Sequence, residues 1–174
     1  MIKFMSSFIH PIPAEYEEWL EDLAQKGYHP KKFTQWSTTF WKFEKSEPKK
    51  YRYVLDIQPF VKKDYFETYK DFGWELCGQM ASTYLWRMEY TDERPESFSD
   101  EAARKDRNSR FVKAVSVSFV LFVVIFLVAL VCMVLTFNKC TTSDLVQYIL
   151  VLVLSGGLLS YIGFAMMKIK KSKK

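Results

Sequence analysis

The chain has 174 residues, 49% hydrophobic and 17% aromatic, with 25 Lys+Arg against 20 Asp+Glu and a formal net charge of +5. Its mean hydropathy of -0.11 averages a charged half with an apolar one, which excludes two soluble domains and fits one small domain followed by a membrane segment. Residues 1–90 carry equal numbers of acidic and basic side chains, and the basic excess lies at 104–113 and 168–174; no nucleic acid partner is expected of so neutral a head, because phosphate neutralisation needs a basic face.

A strand is predicted at about 4–9, followed by a helix opened by Pro13, whose fixed φ and missing N–H suit a first turn. Glu15, Glu17 and Glu18 suit the positive end of that helix. Tyr16, Trp19, Leu20 and Leu23 form its apolar stripe and Gly27 supplies its stop. Strands follow at about 31–36 and 38–45, the second alternating Trp41 and Phe43 with Lys42 and Glu44. The order then restarts. Tyr51, Tyr53, Leu55 and Ile57 alternate with Arg52, Val54, Asp56 and Gln58 in a strand interrupted at Pro59. A helix over about 62–72 carries Tyr65, Phe66, Tyr69 and Phe72 and stops at Gly73, and strands at about 74–80 and 84–90 complete the head. Gly27-Tyr28 corresponds to Gly73-Trp74, and Trp41-Lys42-Phe43-Glu44 to Trp86-Arg87-Met88-Glu89. The expected fold class is α+β: tandem strand-helix-strand-strand repeats at about 3–45 and 50–90 form a cytosolic head, with helices on one face of a mainly antiparallel sheet, followed by a two-helix transmembrane hairpin. By element order the head resembles the GyrI-like effector-binding domains, a resemblance that implies a small-molecule cleft between the halves.

Residues 91–113 form a charged juxtamembrane linker in which Ser97, Ser99, Asp100 and Glu101 supply helix-start chemistry. Uncharged stretches at 114–137 and 145–167 each exceed the roughly 20 helical residues that a hydrocarbon core of about 30 Å requires. Basic residues flank both stretches, whereas the connection 138–144 holds only Lys139. Positive flanks stay inside, so both termini are expected in the cytoplasm, with 138–144 outside and 168–174 as a basic cytosolic tail. Residues after Met1 show no cleavable signal. Arg104, Lys105, Arg107, Arg110, Lys113, Lys168, Lys170 and Lys171 are the candidates for lipid headgroup contact. Gly156, Gly157, Ser160 and Gly163 form a small-residue face for packing the two spans together or for self-association. Cys77, Cys132 and Cys140 fall in three different compartments, so no intramolecular disulfide is expected, while Cys140 is a candidate for pairing between chains.

Neither a nucleophile-base set nor a metal cluster is visible, and no cofactor is expected. His10 and His29 each sit beside a proline and lack a companion motif. Asp56 interrupts an otherwise apolar strand, and a buried carboxylate needs a partner. One solution is an anionic anchor for a cationic ligand, with Trp41, Tyr53, Trp74 and Trp86 supplying rings for cation-π contact. The other pairs Asp56 with Arg52 or Arg87, or leaves it facing solvent, and makes the aromatic residues a sheet-helix core.

Glu18-Trp19-Leu20, Ala24-Gln25-Lys26-Gly27-Tyr28, Phe40-Trp41-Lys42-Phe43-Glu44, Tyr51-Arg52-Tyr53-Val54-Leu55-Asp56 and Gly73-Trp74-Glu75-Leu76 carry a further likeness. Over about residues 3–90 the chain resembles the bacterial family known as domain of unknown function 2812. That resemblance implies a membrane-tethered protein of Gram-positive bacteria encoded beside PadR-type regulators, and it supplies no functional residue. The expected function is a membrane-anchored binding or regulatory module for a small amphiphile or a partner protein in envelope-stress or drug response. The alternative is an accessory subunit whose hairpin assembles with itself or with a membrane protein such as a transporter; an enzyme ranks third.

Overall fold

The computed structural model describes residues 2–4, 9–38, 40–96, 101–136 and 141–171. Its first unit, Met1–Arg107, runs twice through strand, helix, strand, strand. The first pass is β1 (Ile2–Phe4), α1 (Pro13–Gln25), β2 (Tyr28–Pro30) and β3 (Phe40–Lys45). The second is β4 (Tyr51–Ile57), α2 (Tyr65–Asp71), β5 (Glu75–Met80) and β6 (Thr83–Glu89). Each pass makes a three-stranded antiparallel sheet, in the orders β1-β3-β2 and β4-β6-β5, so the last strand of each pass takes the centre.

Local chemistry sets the boundaries. Pro13 stands in the first turn of α1, and Gly27 ends that helix at φ +77, its N–H donating to Ala24 O at 3.0 Å. A Cβ on Gly27 would strike the Ser46 carbonyl, so this position needs glycine for backbone conformation and for space. In place of the strand expected at 31–36, β2 covers Tyr28–Pro30, and the Lys31 N–H makes a last bond to Lys42 O at 3.0 Å. Thr34 and Ser37 then bond each other locally, Thr34 N–H to Ser37 Oγ and Ser37 N–H to Thr34 O, each at 2.9 Å. The result is a 3-10 turn at Gln35–Thr38. The described first strand is Ile2–Phe4; residues 5–8 of the strand expected at 4–9 lie outside the described residues, as do Ser97, Ser99 and Asp100 of the expected helix start.

Phe33 joins the two sheets. It bridges Gly78 in parallel, and its N–H donates to Cys77 O at 3.1 Å. Gly78 sits at a bulge in β5 with φ +145, where any Cβ would collide with the Phe33 backbone. Close backbone approach explains this glycine.

The second sheet is covered on both faces, which differs from the expected single helical layer. Tyr51, Tyr53 and Leu55 join Tyr16, Leu20, Leu23 and Ala24 of α1, with Phe33, Trp41 and Phe43, in one core cluster. Val54, with Trp74, Tyr84 and Trp86, packs on Tyr65, Phe66 and Tyr69 of α2 in another. β4 is therefore buried at every position, because successive side chains alternate between the two clusters. Each large apolar side chain so buried contributes about 1.5–3 kcal/mol.

The second unit, Asn108–Lys174, holds most of α3 (Glu101–Thr136) and all of α4 (Thr142–Lys171). Both are long and apolar enough to cross a membrane, over Lys105–Thr136 and Thr142–Ile169, and their most apolar windows are 0% and 11% buried within the protein, unlike those of a core helix. A reciprocal cap starts α4: Thr141 N–H and Oγ1 meet Asp144 Oδ2 at 3.0 and 2.8 Å, and Asp144 N–H returns to Thr141 Oγ1 at 3.3 Å.

Candidate functional site

Asp56 lies 1% exposed under α2. Its Oδ2 accepts from the Tyr65 hydroxyl at 3.0 Å, the Tyr69 hydroxyl at 3.2 Å and Gln58 Nε2 at 3.2 Å. Trp86 Nε1 donates to the Tyr65 hydroxyl at 3.0 Å, and Tyr69 stacks on Trp86 at 4.4 Å. Burial, followed by the Asp56 charge, holds the Tyr65 hydroxyl above the usual tyrosine range. Asp56 thus fastens α2 to its sheet. Neither expected arginine pairs with it: Arg87 meets Glu75 and Arg52 meets α1. Nor do the five residues proposed as one ligand set converge. Trp41 and Tyr53 belong to the α1 cluster, whereas Trp74 and Trp86 belong to the α2 cluster on the opposite face.

A charge cluster that the sequence did not reveal lies between α1 and the outer edge of β4. Glu17 and Glu21, one turn apart on α1, are 2% and 6% exposed. Glu17 Oε1 accepts the Leu55 N–H at 2.9 Å and Glu21 Oε1 the Tyr53 N–H at 3.3 Å. The edge strand's outward donors are thereby closed to any further strand. Arg52 bridges both carboxylates, Nη1 to Glu21 at 2.7 Å and Nη2 to Glu17 at 3.1 Å. Arg94 forks onto Glu21 at 3.0 and 3.1 Å, and Arg107 Nη1 reaches Glu17 at 2.9 Å. Burial raises the Glu17 carboxyl above its ordinary range, opposed by Arg107 and Arg52. Arg107, expected at the lipid headgroups, is instead buried in this cluster. Of the other headgroup candidates, Lys105 and Lys113 are exposed and Arg110 and Lys168 half-buried; the side chains of Arg104, Lys170 and Lys171 lie outside the described residues, as does Cys140.

A third polar region opens where the sheets meet. A cleft of about 220 Å³ is lined by His29 and Lys31 from the first pass, Glu44 of β3, Glu75 and Cys77 of β5, and Arg87 of β6. Two ion pairs border it, Lys31 to Glu44 at 2.7 Å and Arg87 to Glu75 at 2.8 Å. His29 Nε2 meets Glu47 O at 2.8 Å, so Nε2 carries a proton and donates it to that carbonyl. The His29 Nδ1 and the hydroxyl of fully buried Tyr53 have no hydrogen-bond partner among the described residues. Burial raises the Tyr53 hydroxyl, and Cys77 and Arg87 of the cleft wall lie within its electrostatic reach. Burial also pushes the Cys77 thiol up to about 12, which keeps it protonated and a poor nucleophile. The region offers hydrogen bonding rather than an activated thiol.

Elsewhere, His10 stacks on Trp19 at 5.4 Å. Among the described residues no group of three or more His, Cys, Asp or Glu is placed to hold a metal ion. In α4 a Cβ on Gly156 would meet Phe126 of α3 at 3.8 Å, Gly157 and Gly163 have open space, and Ser160 Oγ bonds Gly156 O of its own helix at 3.0 Å.

Residues 13–120 match the family described as Protein of unknown function (DUF2812), and the chain belongs to that family. The match extends past the head through the linker and into α3, so it takes in Arg94 and Arg107 as well as the cleft. No curated protein and no solved structure matches the chain.

Proposed function

We propose that the chain is a membrane-anchored binding module whose cytoplasmic head takes a small ligand in the cleft between its two sheets and reports occupancy to the juxtamembrane segment. The supporting observation is the polar cleft of about 220 Å³ where the two sheets meet, with the buried Tyr53 hydroxyl behind its Cys77 and Arg87 wall. The mostly polar lining favours a small polar molecule over an amphiphile. Tyr53 also supplies the route outward, because its backbone N–H is held by Glu21, the carboxylate that grips Arg94. Movement of Tyr53 on binding would be felt by the segment between Arg94 and Arg107.

The basic flanks of both apolar helices support insertion with both termini inside. The tether and the PadR-type neighbourhood that the family resemblance implies fit a role in envelope-stress or drug response. The test is a thermal-shift screen of the full chain in detergent micelles, with Tyr53→Phe as control, since a bound ligand raises stability by mass action. A compound that stabilises the parent more than the variant supports the module. A broad screen without any such compound contradicts it.

A further inference from the structure

We infer that the head docks on an anionic bilayer surface through the outer face of its first sheet. The inference is independent of what fills the cleft and takes from the proposed function only the insertion of α3 and α4. Alternation along β3 sends Trp41 and Phe43 into the core and Phe40, Lys42 and Glu44 to the other face. Ile2 stands opposite Lys42 across the β1–β3 ladder and so shares that outer face. Trp36, in the 3-10 turn that leads into β3, stacks on Phe40 at 6.1 Å. It is nonetheless 68% exposed, and Ile2 is 51% exposed. Apolar area of this kind, left in water, gains by entering an apolar phase. Charge decides which phase. Residues 28–45 carry Lys31, Lys32, Lys42 and Lys45 against Glu44, whereas residues 46–90 balance the two signs. All four lysines are exposed, and Glu44 is already engaged by Lys31 at 2.7 Å. The positive segment of the head is thus the one that carries its exposed tryptophan. Indole rings settle at the headgroup level of a bilayer, and lysines beside them gain from anionic lipid. A second copy of the chain suits the face less well, because a two-fold interface would set the Lys42 region of one copy against that of the other. The two membrane-length helices of the same chain would hold bilayer at high local concentration beside the head.

The experiment places the full chain in lipid nanodiscs and reads tryptophan emission, with and without bromine on the upper acyl chains, where bromine quenches an indole that touches it. All five tryptophans, Trp19, Trp36, Trp41, Trp74 and Trp86, lie in the head and none in the membrane-length helices, so quenching reports the head alone. In nanodiscs of phosphatidylcholine with phosphatidylglycerol, a Trp36 ring at the headgroup level should cost the parent roughly one fifth of its emission, the share of one ring in five. Trp36→Phe should abolish that loss, and Lys42→Glu, which keeps all five rings, should reduce it at least about twofold. Phosphatidylcholine alone should quench the parent less. Identical emission with and without bromine would overturn the inference, as would quenching undiminished in Trp36→Phe, which would move the contact to another face. Equal quenching without phosphatidylglycerol would remove the role given to the lysines and overturn it too. Benzoylphenylalanine in place of Trp36 should photocross-link to lipid; cross-linking to a second chain instead would assign the face to self-association. A chain that does not enter nanodiscs would overturn the membrane anchor and this inference together, and leave the cleft standing.

Discussion

The charge cluster and the region behind the cleft's Cys77 and Arg87 wall meet at Tyr53, and their polar groups are treated in opposite ways. At the backbone of Tyr53, Glu17 and Glu21 accept from two strand N–H groups and three arginines. At its side chain, the hydroxyl has no hydrogen-bond partner of good geometry among the described residues, with Arg87 and Cys77 nearby. Buried polar groups in native proteins are usually satisfied, so the exceptions call for an explanation. The head spends residues from four segments to satisfy one region, and in the other leaves a hydroxyl shut away from solvent without a hydrogen-bond partner among the described residues.

The cluster should break most severely at its hub. Arg52→Ala leaves two buried carboxylates short of their shared cation and should cost about 3–5 kcal/mol, measured by urea unfolding of residues 1–107 followed through tryptophan fluorescence. A loss below about 1 kcal/mol would mean that the arginine is not buried in a true ion pair. Removing a peripheral arm should cost less. Residues 1–96 lack Arg107 and should be about 1.5–3 kcal/mol less stable than 1–107, the worth of a hydrogen bond between charged groups, and Arg107→Ala in the longer form should reproduce the difference.

Asp56 gives a second satisfied site for comparison, one built on neutral hydroxyls. Tyr65→Phe removes a donor to Asp56 and an acceptor for Trp86, so a loss of about 1–3 kcal/mol is expected by the same unfolding measurement. The cleft should behave differently. Tyr53→Phe removes a hydroxyl with no well-formed hydrogen bond among the described residues, and stability should stay within about 0.5 kcal/mol of the parent or rise. A loss as large as that of Tyr65→Phe would erase the contrast between the regions. The smallest effect is chemical. With its thiol pushed up to about 12, Cys77 holds little thiolate at neutral pH, so iodoacetamide should label it far more slowly than an unfolded control, with the rate climbing as pH rises toward that value. Labelling at the control rate would show Cys77 to be exposed.

Much of this architecture was legible in the sequence because it depends on local signals. Gly27 and Gly73 mark equivalent helix ends, each at positive φ, and the alternation at 51–57 became β4. The apolar runs after 113 read as membrane-length helices by composition alone. The aromatic residues divide between two core clusters on opposite faces of the second sheet. The polar network was not legible, because its partners are remote: Glu17 and Arg107 are separated by 90 positions. Arg52 and Asp56 looked like one polar face of a strand, yet each is buried, Arg52 against α1 and Asp56 under α2. Only the folded topology shows that β4 is an edge strand whose donors need carboxylates. The pairing of Glu17 with Glu21 at helical spacing beside Leu20 was the one available hint, since charges next to an apolar stripe are often drawn under it.

The most direct test of the account compares the calorimetric affinity of the parent chain and Tyr53→Phe for a compound that stabilises the parent in the thermal-shift screen. The predicted result is a loss of about tenfold in the variant with unchanged unfolding stability in the absence of ligand. Equal affinities in the two proteins would contradict it.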